Sequence, residues 1–164
     1  MEPNRITLRP FLPEDQVNIL ETVTSGKVNQ TYMLPDFETK EAAIPLFNRL
    51  MDLSQDPSRF VRCIALDGAA IGFLNDVEIR DRSMELGYVI HPDHHNRGYM
   101  TAALKLAITA LFEKGYTEVV CGAFEQNKAS QRVMEKSGMI RMEHTDTIEY
   151  RGNTHLCVYY HAKN

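Results

Sequence analysis

The sequence has little of what marks several protein classes. Its 164 residues include only three cysteines, Cys63, Cys121 and Cys157, and none forms a Cys-x-x-Cys pair. That odd, scattered set argues against a disulfide framework or a cysteine zinc site. The apolar runs around all three predict small buried hydrophobes instead. Basic residues are not in excess: 18 Lys and Arg against 22 Asp and Glu give a net charge of −4. Without a basic stripe, no nucleic-acid partner is expected, and the mild acidity favours at most a cationic substrate. Apolar runs stop well short of a membrane span, and "MEPNR" opens no signal-peptide core, so a cytoplasmic protein with no membrane partner is expected. Repeats and low-complexity tracts are missing as well. What remains, 43% hydrophobic and 24% charged residues, is a soluble globular composition. The length predicts a single domain, residues 1–164, able to bury a core without staples.

Periodicity supplies the elements. "RITLRPFL" alternates as a strand, and "PEDQVNILETVT" opens with Pro13 and two acids as helices do. "SGKVNQTYMLPDF" reads as a polar and aromatic loop. In it Tyr32 and Phe37 are candidates for an acceptor pocket, with packing on a core as the alternative. "ETKEAAIPLFNRLMDL" reads as a helix that Pro45 kinks or shortens. "RFVRCIAL" and "AAIGFLNDVEI" make a hairpin around Asp67-Gly68, with Ile71, Phe73, Val77 and Ile79 of one parity. "RSMELGYVI" puts Met84, Leu86, Tyr88 and Ile90 on one face and Glu85, Gly87 and Val89 on the other. Met100, Leu104, Ala107, Ile108, Leu111 and Phe112 then share a helix face that ends at Gly115. "YTEVVCGAF" is a buried strand, and "NKASQRVMEKSG" a helix capped by Asn127 and stopped by Gly138. Two last strands turn at Arg151-Gly152-Asn153. The order β-α-α-β-β-β-α-β-α-β-β is that of a mixed-sheet α/β domain.

The loop in "GYVIHPDHHNRGYMTAALKLA" admits three readings. His91, Asp93, His94 and His95 resemble metal ligands, but they cluster around Pro92 without the helical spacing or second ligand pair of a zinc site. As a phosphate cradle the segment is better formed: a strand, a short loop with Gly98, and an immediate helix whose first N–H groups lack internal partners. An ordinary polar turn is the third reading.

"ELGYVIHPDHHNRGYMTAAL" resembles the acyl-CoA-binding segment of the GNAT superfamily of N-acetyltransferases, in particular its RimJ/RimL-like branch. There the segment runs E-x-G-Y-x-[IL]-x-P, a few residues, then G-x-G-Y-A-T-E-A. A second family segment, N-x-x-S-x-x-[VL]-x-x-K-x-G-[FM], matches "NKASQRVMEKSGM", Asn127–Met139. Against the superfamily pattern [QR]-x-x-G-x-[GA], the chain reads H-N-R-G-Y-M. His95 stands for Gln or Arg, Asn96 where the branch often has glycine, and Met100 in the small-residue slot, where it can turn inward as the first core residue of its helix.

The resemblance implies an α/β (α+β) GNAT-like fold, a mixed central sheet of about seven strands with flanking helices, splayed around a β-α-β acyl-CoA site. It implies acetyl-CoA as cosubstrate, no metal, and an amine-bearing partner, and it is compatible with a homodimer. Tyr88, Val89 and Ile90 would pair with pantetheine. His95, Asn96, Arg97, Gly98, Tyr99, Met100 and Thr101 would form the pyrophosphate turn, joined at the coenzyme by Asn127 and Ser130. Glu85 is the candidate base, Ser130 the partner of the leaving sulfur, and Asn127 its neighbour in the catalytic set, with Glu125 and Tyr159 as substitutes for base and acid. Met134 occupies the position where many relatives have tyrosine, so no tyrosine carries over there. Each assignment has a plainer counterpart: a solvated strand carboxylate for Glu85, a helix cap for Asn127, a locally bonded first-turn serine for Ser130. The expected activity is acetyl transfer from acetyl-CoA to a primary amine. A noncatalytic acyl-CoA-binding regulatory domain is the alternative, and a metal-dependent hydrolase a third.

Overall fold

A computed structural model describes residues 5–31 and 34–164. It contains a seven-stranded mixed sheet with helices, and the chain divides into two compact units. Residues up to Asn75 with Tyr88–Tyr99 form one unit, and Asp76–Gly87 with Met100–Asn164 the other. Tyr32 lies outside the described residues.

In the first unit, β1 (Ile6–Arg9) precedes α1 (Gln16–Val23), α2 (Gly26–Thr31) and α3 (Ile44–Ser54). β2 (Val61–Leu66) pairs antiparallel with β1, from Ile6↔Leu66 to Arg9↔Cys63, and with β3 (Ala69–Arg80). Asp67 and Gly68 hold the joining turn at φ 49° and 90°, the left-handed pair a two-residue hairpin requires. Pro45 falls in the first turn of α3, where its missing N–H costs nothing, so the helix starts there rather than kinking. Phe11, Ile19, Val23, Phe47, Leu50 and Phe73 make the core, with the Phe11 ring edge-on to Phe47 at 5.9 Å. Phe37 packs partly buried against this core, as its plainer reading has it.

In the second unit, β4 (Ser83–Ile90, its first half) pairs in parallel with β5 (Glu118–Phe124). A parallel pair needs a long crossover, supplied by α4 (Tyr99–Glu113). Met100, Ala103, Leu104, Ala107, Ile108 and Leu111 form its buried stripe, so Met100 is indeed the first core residue of the helix. α5 (Lys128–Lys136) follows β5. Gly138, at φ 90°, ends it while the Met139 N–H returns to the Met134 carbonyl at 3.0 Å. β6 (Ile140–Tyr150) and β7 (Asn153–Lys163) then form a hairpin through Arg151 and Gly152, both left-handed.

The sheet order is β1-β2-β3-β4-β5-β7-β6. Two local expectations differ. The segment from Ser25 contains a short helix, α2, that weak periodicity conceals. Val77 and Ile79 share the parity of buried Ile71 and Phe73, yet they are 58% and 40% exposed. Alternation assigns residues to a face, not what covers that face. Cys63, Cys121 and Cys157 are buried free thiols, as expected.

Candidate active site

The end of β4 is fixed from one side by a glycine. A Cβ on Gly72 would run into the Val89 carbonyl oxygen and come within 2.8 Å of the Ile90 Cα. The His91 N–H then donates to the Ile71 carbonyl at 2.8 Å. The backbone of Val89 and Ile90 is thus held by β3 itself.

The polar loop that follows is tied together by its own side chains. His91 caps a short 3-10 turn, Pro92–His94, by accepting from the Asp93 N–H at 3.1 Å. His95 Nε2 lies 2.9 Å from the Ile90 carbonyl oxygen. A carbonyl only accepts, so this nitrogen carries the proton, and the ring that replaces the expected Gln or Arg binds the loop to the end of β4. Asn96 and Gly98 flank Arg97 at φ 59° and 81°. A Cβ on Gly98 would meet nothing within 4 Å, so the space beside it is open. Helical backbone starts at Tyr99, and the first N–H groups of α4 have no acceptor inside the helix. Left-handed residues running into a helix start present N–H groups and the positive end of the helix, donors that fit a pyrophosphate.

The histidines serve this loop. The His91 and His94 rings meet edge-on at 6.1 Å, His94 reaches Tyr99 at 6.0 Å, and burial holds the His94 imidazole below its ordinary pKa. Among the described residues, no group of three or more His, Cys, Asp or Glu is arranged to hold a metal ion.

The second unit carries Glu85. The register of β4 against β5 runs from Ser83↔Glu118 to Leu86↔Cys121 and stops there, although both strands continue. On this stretch Glu85 is half-buried in a cleft of about 320 Å³. Glu78, Arg80, Glu118, His144, Asp146 and Tyr159 line it together with Glu85. Burial pushes the Glu85 carboxyl above the usual glutamate range, and the charges of Glu78 and Asp146 push the same way against Arg80. Glu118 is held below that range by a 2.8 Å bond from His161 Nδ1 and another from Ser83. Tyr159 donates to Asp146 Oδ2 at 2.8 Å, and burial together with that bond raises the phenol. Glu125, the substitute base, is exposed and outside the cleft lining.

At the start of α5, the Asn127 side chain accepts from the Ser130 N–H at 3.1 Å, the cap its position predicts. Ser130 is only 6% exposed, although it sits in the first turn of a surface helix. Gln131 was not anticipated. Buried, its side-chain amide donates to the Glu125 carbonyl at 2.7 Å and locks the β5–α5 turn. Nor were Glu78, His144 and Asp146, since alternation along β3 and β6 does not say which strand faces share a cleft.

The residues assigned to the coenzyme thus fall in both units, Tyr88–Tyr99 in the first and Met100, Thr101, Asn127 and Ser130 in the second. Residues 5–140 match the family model of the acetyltransferase (GNAT) domain. The chain belongs to the GNAT acetyltransferase family. Its sequence is 27% identical to the uncharacterized N-acetyltransferase YoaA of Bacillus subtilis (strain 168), over 84% of this chain and 81% of that protein. The structure is similar to that of the ribosomal-protein-S5-alanine acetyltransferase from Vibrio fischeri, with a TM-score of 0.82, 16% identity, and coverage of 100% and 96%. It is also similar to spermidine N-acetyltransferase from Vibrio cholerae, solved with CoA and spermine: TM-score 0.79, 16% identity, coverage 96% and 95%. At such identities these two likenesses establish the GNAT fold alone. The mixed seven-stranded sheet is that fold, as the sequence predicts.

Proposed function

We propose that this GNAT domain moves an acetyl group from acetyl-CoA directly to a primary amine, on a protein N-terminus or a small molecule, as a member of the RimJ/RimL-like branch. One observation carries the reading: a half-buried carboxylate, Glu85, with raised basicity in an open cleft. Acetyl-CoA brings an activated thioester; the chain must bind it, take a proton from the amine and stabilise the sulfur. Backbone edges of Tyr88, Val89 and Ile90 suit the pantetheine amides, and the N–H groups from Arg97 to Thr101 suit the pyrophosphate. His95 and Asn96 shape that turn, Tyr99 and Met100 anchor it to α4, and the Arg97 side chain adds positive charge. Glu85, directly or through a water, receives the amine proton as the N–C bond forms and the C–S bond breaks. A backbone N–H at Val89 or Ile90 donates to the carbonyl oxygen. The Ser130 hydroxyl, positioned by Asn127, donates to the departing sulfur. Four carboxylates in the cleft against the one guanidinium of Arg80 favour a cationic acceptor.

The test is release of free thiol from acetyl-CoA across a panel of amines: protein N-termini, amino acids and polyamines. Amine-dependent release supports the reading. Coenzyme binding with no release in the presence of any amine would select the noncatalytic, acyl-CoA-binding alternative.

A further inference from the structure

β6 does not run evenly along β7. The pair Arg141↔Tyr160 is followed by Thr145↔Val158, four steps along β6 for two along β7. The extra residues form an irregularity that bends β6 without changing its alternation. Met142 and His144 within it, and Asp146 just past it, line the Glu85 cleft. Asp146 Oδ2 accepts from the Tyr159 hydroxyl at 2.8 Å and lies 3.1 Å from His144 Nε2. The His144 ring stacks on Tyr159, centroids 5.3 Å apart and planes 30° apart.

We infer that Asp146 is a positioning residue of this cleft: paired opposite Cys157 just past the irregularity, it fixes the Tyr159 hydroxyl and sets a negative charge beside Glu85. The inference rests on Glu85 being the base. A phenol has one proton, and here it goes to Asp146. Tyr159 therefore offers lone pairs to the cleft, an acceptor for an amine N–H rather than a donor to sulfur. The other acids facing Glu85 have partners of their own. From β3, Glu78 is paired with Arg80 at 2.8 Å, and from β5, Glu118 is bonded to His161 of β7. The bonds of Asp146 go to a phenol and an imidazole rather than to a guanidinium, and its charge acts on Glu85. A like charge disfavours ionised Glu85, and a carboxyl that holds its proton longer is a stronger base.

Carbon NMR of labelled glutamate side chains tests this directly, with the Glu85 signal assigned by its loss in Glu85→Gln. Asp146→Asn keeps an oxygen that can accept from Tyr159 and removes the charge. Asp146 is about half exposed, its side chain at 49%, so the fold should survive. The Glu85 midpoint should fall toward the ordinary glutamate value, and the acidic limb of the pH–rate profile should move to lower pH with it. Tyr159→Phe, which keeps the charge, should leave the Glu85 midpoint near that of wild type. An unmoved midpoint in folded Asp146→Asn, or an equal shift in Tyr159→Phe, overturns the inference. A midpoint that moves while the rate profile stays put upholds the role of Asp146 and removes Glu85 as the base.

Discussion

Gly122 on β5 and Tyr159 on β7 are cross-strand partners, and the tyrosine ring lies over the glycine. A Cβ on Gly122 would stand 2.8 Å from Tyr159 Cε1 and 3.0 Å from Cδ1. The obstacle is a side chain, which can move, and not backbone, which cannot. Gly122→Ala should therefore displace the ring and break its bond to Asp146, at a stability cost of about 1–3 kcal/mol, the usual penalty for overpacking. Turnover should fall by a larger factor than stability explains. Urea denaturation beside steady-state kinetics checks it, and full activity in the variant would show that the ring's place over Gly122 is immaterial.

The pyrophosphate turn makes a second prediction. Gly98 has φ 81°, where a β-branched residue is strained by roughly 1–3 kcal/mol, and the space beside it is open. In Gly98→Val the new side chain fills that space, and coenzyme A affinity should fall about tenfold or more while the fold survives. Calorimetry showing unchanged affinity would put the coenzyme elsewhere.

For Glu85, the sign of the titration matters. Burial and the neighbouring acids raise the folded pKa above the unfolded one, so protonation favours the fold. Stability from this group is greatest at low pH and declines as pH rises from the unfolded value through the folded one. Activity runs the opposite way, since only the ionised form accepts a proton. Glu85→Gln should flatten the acidic limb of the rate profile, lower turnover about 10²-fold or more, and leave coenzyme binding nearly intact. It should also stabilise the protein slightly at neutral pH. An unchanged profile would return Glu85 to the role of a strand carboxylate.

These residues differ in how far the sequence reveals them. Glu85, Asn127 and Ser130 lie inside motifs whose spacing fixes their elements, and the α4 stripe identifies Met100 as a core residue because helical period reports facing directly. Asp146 and His144 were hidden for a different reason. With Met142 they occupy every second position of β6, but alternation assigns them to a face without saying that this face meets Glu85. The short helix Gly26–Thr31 escaped for another reason: six residues hold too few turns for a period to register. His95 was legible in position but not in role, since only the folded loop shows its ring bonded to the Ile90 carbonyl.

Far from the cleft, Arg9 and Asp15 make a bidentate pair at 2.8 and 2.9 Å, and the Leu12 N–H adds a third bond at 2.7 Å. Burial pushes the Asp15 carboxyl up, but the bonds from Arg9 and Leu12 outweigh it and hold the group below the usual range. Its stabilisation is present above the unfolded value of about 3.9 and is lost as pH falls through the folded value. Asp15→Asn should cost about 2–3 kcal/mol at pH 7, the scale of charged hydrogen bonds in a buried setting. The gap between wild type and variant in urea melts should narrow as pH falls below the unfolded value and close once the folded carboxyl is protonated too. A gap that persists there would assign the loss to packing.

The last prediction concerns Ser130. Its backbone N–H is held by Asn127 Oδ1, which fixes the first turn of α5 on which the hydroxyl is carried. A serine 6% exposed in that turn is sheltered from bulk water, so a thiolate forming beside it would find few other donors. Met134 cannot serve, being an apolar, fully buried residue of the same helix. Tyr159 is disfavoured as well, because its proton is already given to Asp146. Positioned donors contribute about 10²–10⁴-fold, and Ser130→Ala should lose activity within or somewhat below that range, since water entering the vacated space would replace part of the bond. The charge on sulfur arises only along the reaction path, so the loss belongs in kcat and not in acetyl-CoA affinity. Rapid single-turnover kinetics isolates that step: acetyl transfer as fast in Ser130→Ala as in wild type would remove the serine from the mechanism and leave solvent as the donor.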